Sequence, residues 1–135
     1  MMVLSVQKEV AERIAAKPGE MSLLSVSVQL YYEVELRIKI PAKLFNPPPK
    51  VDSQAVILRM HTKPLFHGLD TKIFFRLVRA GFSERRKKLR SSLAGGLNMS
   101  REETDKLISS AKIDPNMRPQ ELSINEWYKL YKAST

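Results

Sequence analysis

Two runs that alternate apolar with polar residues, VELRIKI and QAVILRM, stand on either side of FNPPPKVDS, residues 45 to 53. In the first, Val34, Leu36, Ile38 and Ile40 alternate with Glu35, Arg37 and Lys39; in the second, Val56 and Leu58 have Gln54 and Arg59 between or beside them. Alternation of period two puts every second side chain on one face, so the pair predicts two strands joined by the proline segment. An Asn-Gly pair would close such a hairpin in fewer residues. Three consecutive prolines do something else. Each fixes its own φ and restrains its predecessor, so Asn46 to Pro49 is predicted to run extended, at about 3.1 Å per residue. Flanking residues are then held with little entropy left to lose. Phe45 becomes an aromatic face on a rigid mount and Lys50 a cation one short span away, an arrangement suited to stacking on an unpaired base. A plain structural use also fits, with Phe45 plugging the local core and the prolines guarding a sheet edge.

The rest of the first half reads as mixed α/β. Met2, Val3, Leu4 and Val6 form a short apolar run that suits a strand buried on both faces, and QKEVAERIAA follows at helical spacing until Pro18-Gly19 stops it. SLLSVSVQLYY is open between the two periods: Val26, Val28 and Leu30 alternate as in a strand, while Leu24, Val28 and Tyr31 share a helical face. From Leu69 onward the chain turns helical. Residues 1–60 are therefore assigned to a sheet domain, 61–68 (HTKPLFHG) to a linker and 69–135 to a small all-α domain. Asp70 is predicted to cap a helix whose Phe74, Phe75, Leu77 and Val78 face a core, and Gly81 interrupts it. Ser83 is predicted to cap the next. Ser100 with Glu103, and Ser123 with Glu126, form S-x-x-E capping boxes. Gly95-Gly96 falls where a left-handed residue would end a helix. Asp114-Pro115 and Arg118-Pro119 mark the connection between the last helices.

Charge points to a partner class. The chain of 135 residues carries +9, and the segment from Asp70 to Leu93 alone holds eight cations against Asp70 and Glu84. A local excess of this size concentrates polyanions, which makes nucleic acid the leading partner and an anionic membrane surface the second. On a helix beginning at Ser83, Phe82, Leu89 and Leu93 share one stripe; Arg86 and Arg90 border it, and Arg85, Lys87 and Lys88 take most of the rest. Arg86 is the one expected to be held by a carboxylate. Arg79 belongs to the same basic stretch. There is no cysteine, so disulfides and thiolate zinc sites are excluded, and a reducing cytoplasm is the expected location. His61 and His67 have no carboxylate cluster near them in sequence, which argues against a metal site. No Gly-rich phosphate loop follows a strand. Asn46-Pro47-Pro48 resembles the Asn-Pro-Pro-aromatic motif of amino-methylating enzymes, but the fourth residue is Pro49, which cannot stack. Trp127 and Tyr128 read as core anchors.

Four stretches, VQKEVAERI, LFNPPPKVDSQAVILRM, FFRLVRAGFSERRKKLRSSL and IDPNMRPQELSINEWYKLY, resemble in that order the later part of the small-subunit ribosomal RNA adenine dimethyltransferases, the kasugamycin-resistance family. The resemblance implies that the first half holds the last strands of a Rossmann-like methyltransferase sheet and that SLLSVSVQLYY is a helix. It places Phe45 at the Phe of an F-x-P-x-P-x-V-x-S loop, which packs on the target adenine. It implies small-subunit ribosomal RNA or a pre-ribosomal particle as partner; the charge reading assigns the RNA contacts to Lys50, Arg79, Arg85, Arg86, Lys87, Lys88 and Arg90, and no apolar stretch is long enough to span a membrane. Such enzymes bind S-adenosylmethionine through a Gly-rich loop and hold the adenine with an Asn-Leu-Pro-aromatic motif; neither occurs in these 135 residues. The expectation is a carboxyl-terminal part that recognises RNA, with no cofactor bound and no methylation by this chain alone. A homodimer is expected through the strand edge at residues 1–7. Two other readings are a non-catalytic nucleic-acid-binding factor of the same fold and a macrolide-resistance ribosomal RNA methyltransferase, which DPNMRPQELS fits less well.

Overall fold

In the computed structural model, which describes residues 1–135, the alternating runs form the predicted hairpin. Strand β2 (Tyr32–Ile40) pairs antiparallel with β3 (Ser53–Met60), and β1 (Met2–Gln7) pairs antiparallel with the other side of β3. The sheet thus has three strands in the order β1-β3-β2. Gln54, Val56 and Leu58, two residues apart on β3, are all buried. A slip of one residue would turn that face to water, so the core pins the register. Helix α1 (Lys8–Ile14) follows β1 directly and lays Ala11 and Ile14 against Val56 and Leu58, with Val6, Val10, Val28, Tyr32 and Val34 around them.

The ambiguous SLLSVSVQLYY is helical over α2 (Leu23–Gln29). Gln29 Nε2 donates to the carbonyls of Ile14 and Ala16, each at 2.9 Å, and so ties the end of α2 to the end of α1. The first strand departs from its expected burial. β1 has a neighbour on one side only, and Met2, Val3 and Leu4 are exposed. The core reaches only Val6 of this edge strand, so Met2 and Leu4 on the same face and Val3 on the other stay exposed.

The chain divides into two units, Met1–Ala16 with Leu24–Leu65 and Lys17–Leu23 with Phe66–Thr135. Residues 17–23 join the second because the amides of Gly19 and Met21 both donate to the carbonyl of Gln120, at 2.9 and 3.1 Å. That unit is helical: α3 (Thr71–Gly81), α4 (Leu89–Gly96), α5 (Arg101–Ser110) and α6 (Ile124–Ser134). Asp70 Oδ1 accepts from the amides of Lys72 and Ile73, and both S-x-x-E sequences form complete capping boxes, as their spacing predicts. Phe74, Leu77, Val78, Leu89, Leu93, Ile108, Leu130 and Trp127 are buried.

Two expectations fail here. No helix starts at Ser83: its hydroxyl donates back to the Ala80 carbonyl at 2.6 Å, and residues 82–88 are turn and bend until α4 begins at Leu89. Gly95-Gly96 does not supply the left-handed residue either. Asn98 does, at φ 53°, while Gly96 lies so close to Ala80 of α3 that a Cβ there would sit 2.7 Å from the Ala80 Cα.

Candidate nucleic-acid interface

The basic sequence Arg85-Arg86-Lys87-Lys88 lies in the turn between α3 and α4, not along a helix as its spacing suggested. Three bonds shape that turn. The amide of Lys87 donates to the Glu84 carbonyl at 3.0 Å, Ser92 Oγ donates to the same carbonyl at 2.9 Å, and the Leu89 amide donates to the Met117 carbonyl at 2.8 Å. The last clamps the turn against a loop 28 residues further on, where Lys88 Nζ also donates to Asn116 Oδ1 at 3.1 Å. A turn anchored at both ends spends little further entropy on holding its cations out.

All four side chains are exposed. Arg86, expected to take a carboxylate, has no ion pair; the one acid of the turn, Glu84, pairs with Lys87 at 3.2 Å. With residues 82–88 outside a helix, the side-chain directions that placed Arg86 beside an acid do not apply. Arg79, exposed in the last turn of α3, and Arg90, half-buried in the first turn of α4, flank the turn. The second unit therefore brings six of the expected cations onto one α3–turn–α4 segment.

The remaining two expected residues lie in the first unit, on the β2–β3 loop. There a 3-10 turn at Ala42–Leu44 leads into Phe45, whose backbone is extended and whose amide donates to the Ala42 carbonyl at 3.1 Å. Asp52 closes the loop from the far side. Its Oδ1 accepts from the Ala42 amide at 2.8 Å, and its carbonyl accepts from Lys8, the first residue of α1, at 2.9 Å. The segment is not the uniformly extended path predicted for it: residues 45–47 bend and the Asn46–Pro47 peptide is cis. Phe45 remains 40% exposed, and Leu44 and Val51 of the same loop are also exposed. The ring is thus an accessible apolar surface on a braced loop. Lys50 is exposed five residues on.

The one strand that runs straight into a helix is β1, and Gln7 stands at that junction where a dinucleotide-type turn needs glycine; the Lys8 amide is already given to Asp52. Asn116 and Met117, which shape the basic turn, carry no sequence signal of that role. The local signal, Asp114 Oδ1 accepting from the Asn116 amide at 2.8 Å, predicts a turn but not its distant contact. No helix is long and apolar enough to cross a membrane.

Comparison with known proteins fits this geometry. The ribosomal RNA small subunit methyltransferase A of Dehalococcoides mccartyi strain CBDB1 is 44% identical over 129 residues, 96% of this chain and 44% of that protein. The protein of the same name from Bacillus cytotoxicus is 40% identical over 136 residues, 97% of this chain and 47% of its own. The chain thus spans less than half the length of these relatives. Among solved structures, a dimethyladenosine transferase from Plasmodium falciparum superposes with a TM-score of 0.77 at 25% identity, covering 95% of this chain and 54% of that one. The 23S rRNA methyltransferase ErmE shares the fold, with a TM-score of 0.69 at 24% identity over 97% of this chain and 53% of its own. The sequence profile described as ribosomal RNA adenine dimethylase matches residues 1–135, and the chain belongs to that family.

Proposed function

We propose that this chain is the RNA-docking and target-positioning part of an S-adenosylmethionine-dependent adenine-N6 dimethyltransferase that acts on small-subunit ribosomal RNA during ribosome biogenesis. The observation that carries the reading is the braced basic turn, where four consecutive exposed cations lie in a segment held by the Leu89 amide on the Met117 carbonyl, the Ser92 hydroxyl on the Glu84 carbonyl and the Lys88 ammonium on Asn116 Oδ1. In this reading the first unit is what remains of a Rossmann-like methyltransferase sheet, and the helical unit is the RNA-recognition domain. Arg79, Arg85, Arg86, Lys87, Lys88 and Arg90 neutralise phosphates, which sets affinity and register. Phe45 stacks on the adenine once it leaves its helix, and Lys50 holds the adjoining backbone. Cofactor binding and methyl transfer belong to sequence outside these residues.

The test is a titration of the chain with small-subunit ribosomal RNA across ionic strength. Association that weakens steeply with salt, and that disappears on changing Arg85, Arg86, Lys87 and Lys88 together to Glu, is the expected result. Absence of any association at low salt overturns the docking role. Transfer of labelled methyl groups to that RNA by the chain alone overturns the division of labour. The names of the relatives above favour the small-subunit substrate over the large-subunit one; methylation of the two RNAs by the chain reunited with a cofactor-binding half decides between them. The same reading includes self-association of the isolated chain through β1.

A further inference from the structure

Beyond the basic turn, a second group of cations lies at the junction of α5 and α6. Lys129 and Lys132 lie one turn apart on α6, and Lys112 follows the end of α5 in the left-handed region at φ 57°. All three are exposed, and with Tyr128 they line an open cleft of about 530 Å³. Tyr128 is held in place. The Phe66 ring stacks on it at 4.0 Å between centroids with 8° between planes, and Lys132 Nζ lies 5.8 Å from its centroid. None of the lysines has an ion pair within the chain. The acids nearest in sequence are already engaged by backbone: Asp114 accepts from the Asn116 amide at 2.8 Å and Glu126 from the Ser123 amide at 3.0 Å.

We propose that Lys112, Lys129 and Lys132, set around the fixed ring of Tyr128, form a second phosphate-binding site for RNA, distinct from the turn at residues 85–88. Uncompensated cations around a cleft favour an anionic occupant, and the stacked Tyr128 ring fixes the wall from which Lys132 projects. The two basic groups are coupled through a short loop. Lys112 is four residues from Asn116, at most about 14 Å of chain, and Asn116 Oδ1 receives the Lys88 ammonium at 3.1 Å. One RNA helix can therefore engage both. The inference rests on the RNA-docking reading and adds to it a contact made by a different part of the helical unit.

The experiment measures binding of the whole chain to a short RNA hairpin over a range of salt concentrations, with urea unfolding of each variant alongside. Lys112→Asn, which keeps a residue tolerant of positive φ, is combined with Lys129→Gln and Lys132→Gln. Three lost phosphate contacts are expected to lower the magnitude of the slope of log affinity against log salt by about 2 to 3, at roughly 0.7 to 0.9 per contact. A variant with Lys129→Gln and Lys132→Gln alone, which leaves the backbone at residue 112 untouched, is expected to lower it by about 1 to 2. If both slopes match the unmodified chain while the Arg85–Lys88 variant loses binding, the lysines only offset helix C-termini and the inference fails with the docking reading intact. If the unmodified chain does not bind the hairpin, the docking reading and the inference fall together.

Discussion

At the scale of single residues, the glycines separate space from conformation. Neither Gly81 nor Gly96 needs positive φ; each is small because another residue occupies its flank. A Cβ on Gly81 would overlap Cη2 of Trp127 and come within 2.8 Å of Cζ3, and one on Gly96 would meet the Ala80 backbone at 2.7 Å. Trp127 is fully buried and the Ala80 backbone belongs to a helix, so neither has room to yield. Gly81→Ala and Gly96→Ala are each expected to destabilise the chain by about 1 to 3 kcal/mol through overpacking. A methyl group on Gly95 would meet nothing within 4 Å, so Gly95→Ala is expected to be neutral or to stabilise by up to about 1 kcal/mol through helix propensity. Urea midpoints for the three variants check the order, and an equal effect at Gly95 and Gly96 would contradict the packing argument.

At the scale of elements, what is legible in the sequence is local. The β2–β3 hairpin follows from alternation within a few residues, and the capping boxes of α5 and α6 from pairs three residues apart. The basic turn is not legible, because the Ser83 hydroxyl goes back to Ala80 while the Leu89 amide goes to Met117, and no periodicity within residues 83–93 reports a partner that far along the chain. Composition marks Arg85 to Lys88 correctly as exposed positive charge, but their spacing implies a helix that does not form. The hairpin carries one electrostatic device that alternation also leaves unread. Glu35 on β2 accepts from Arg59 on β3 at 2.7 Å and from Arg37 at 2.9 Å. These bonds, Arg59 first, hold its carboxyl below the usual carboxylate range. A depressed folded-state pKa gives stability that is present above the unfolded-state value and is lost as pH falls through the folded one. Glu35→Gln is therefore expected to lower stability slightly at neutral pH and to flatten the acid limb, with the two chains converging as pH falls through the folded-state value. Thermal midpoints followed from neutral pH downward measure it, and parallel acid limbs for the two chains would refute it. The group is solvent-facing, so the effect is small.

At the scale of the whole molecule, the sheet has two edges that differ in how they are defended. β2 has charges at Glu33, Glu35, Arg37 and Lys39 and a register shift between Leu36 and Lys39, both of which discourage an incoming strand. β1, with the sequence MVLSVQ, has no charge and no irregularity, and its Val3 is 63% exposed. Antiparallel pairing of β1 with β1 of a second copy would satisfy its free backbone groups and cover Val3 and Met2, and two-fold pairing closes on itself without leading to a filament. The isolated chain is accordingly expected to sediment as a concentration-dependent dimer. Val3→Lys places a charge on the edge strand away from the side where Val6 meets the core, and is expected to shift the equilibrium to monomer without lowering the urea midpoint of the folded unit. A chain that stays strictly monomeric at high concentration, or a Val3→Lys variant that dimerises as before, would show that this edge is not the associating surface.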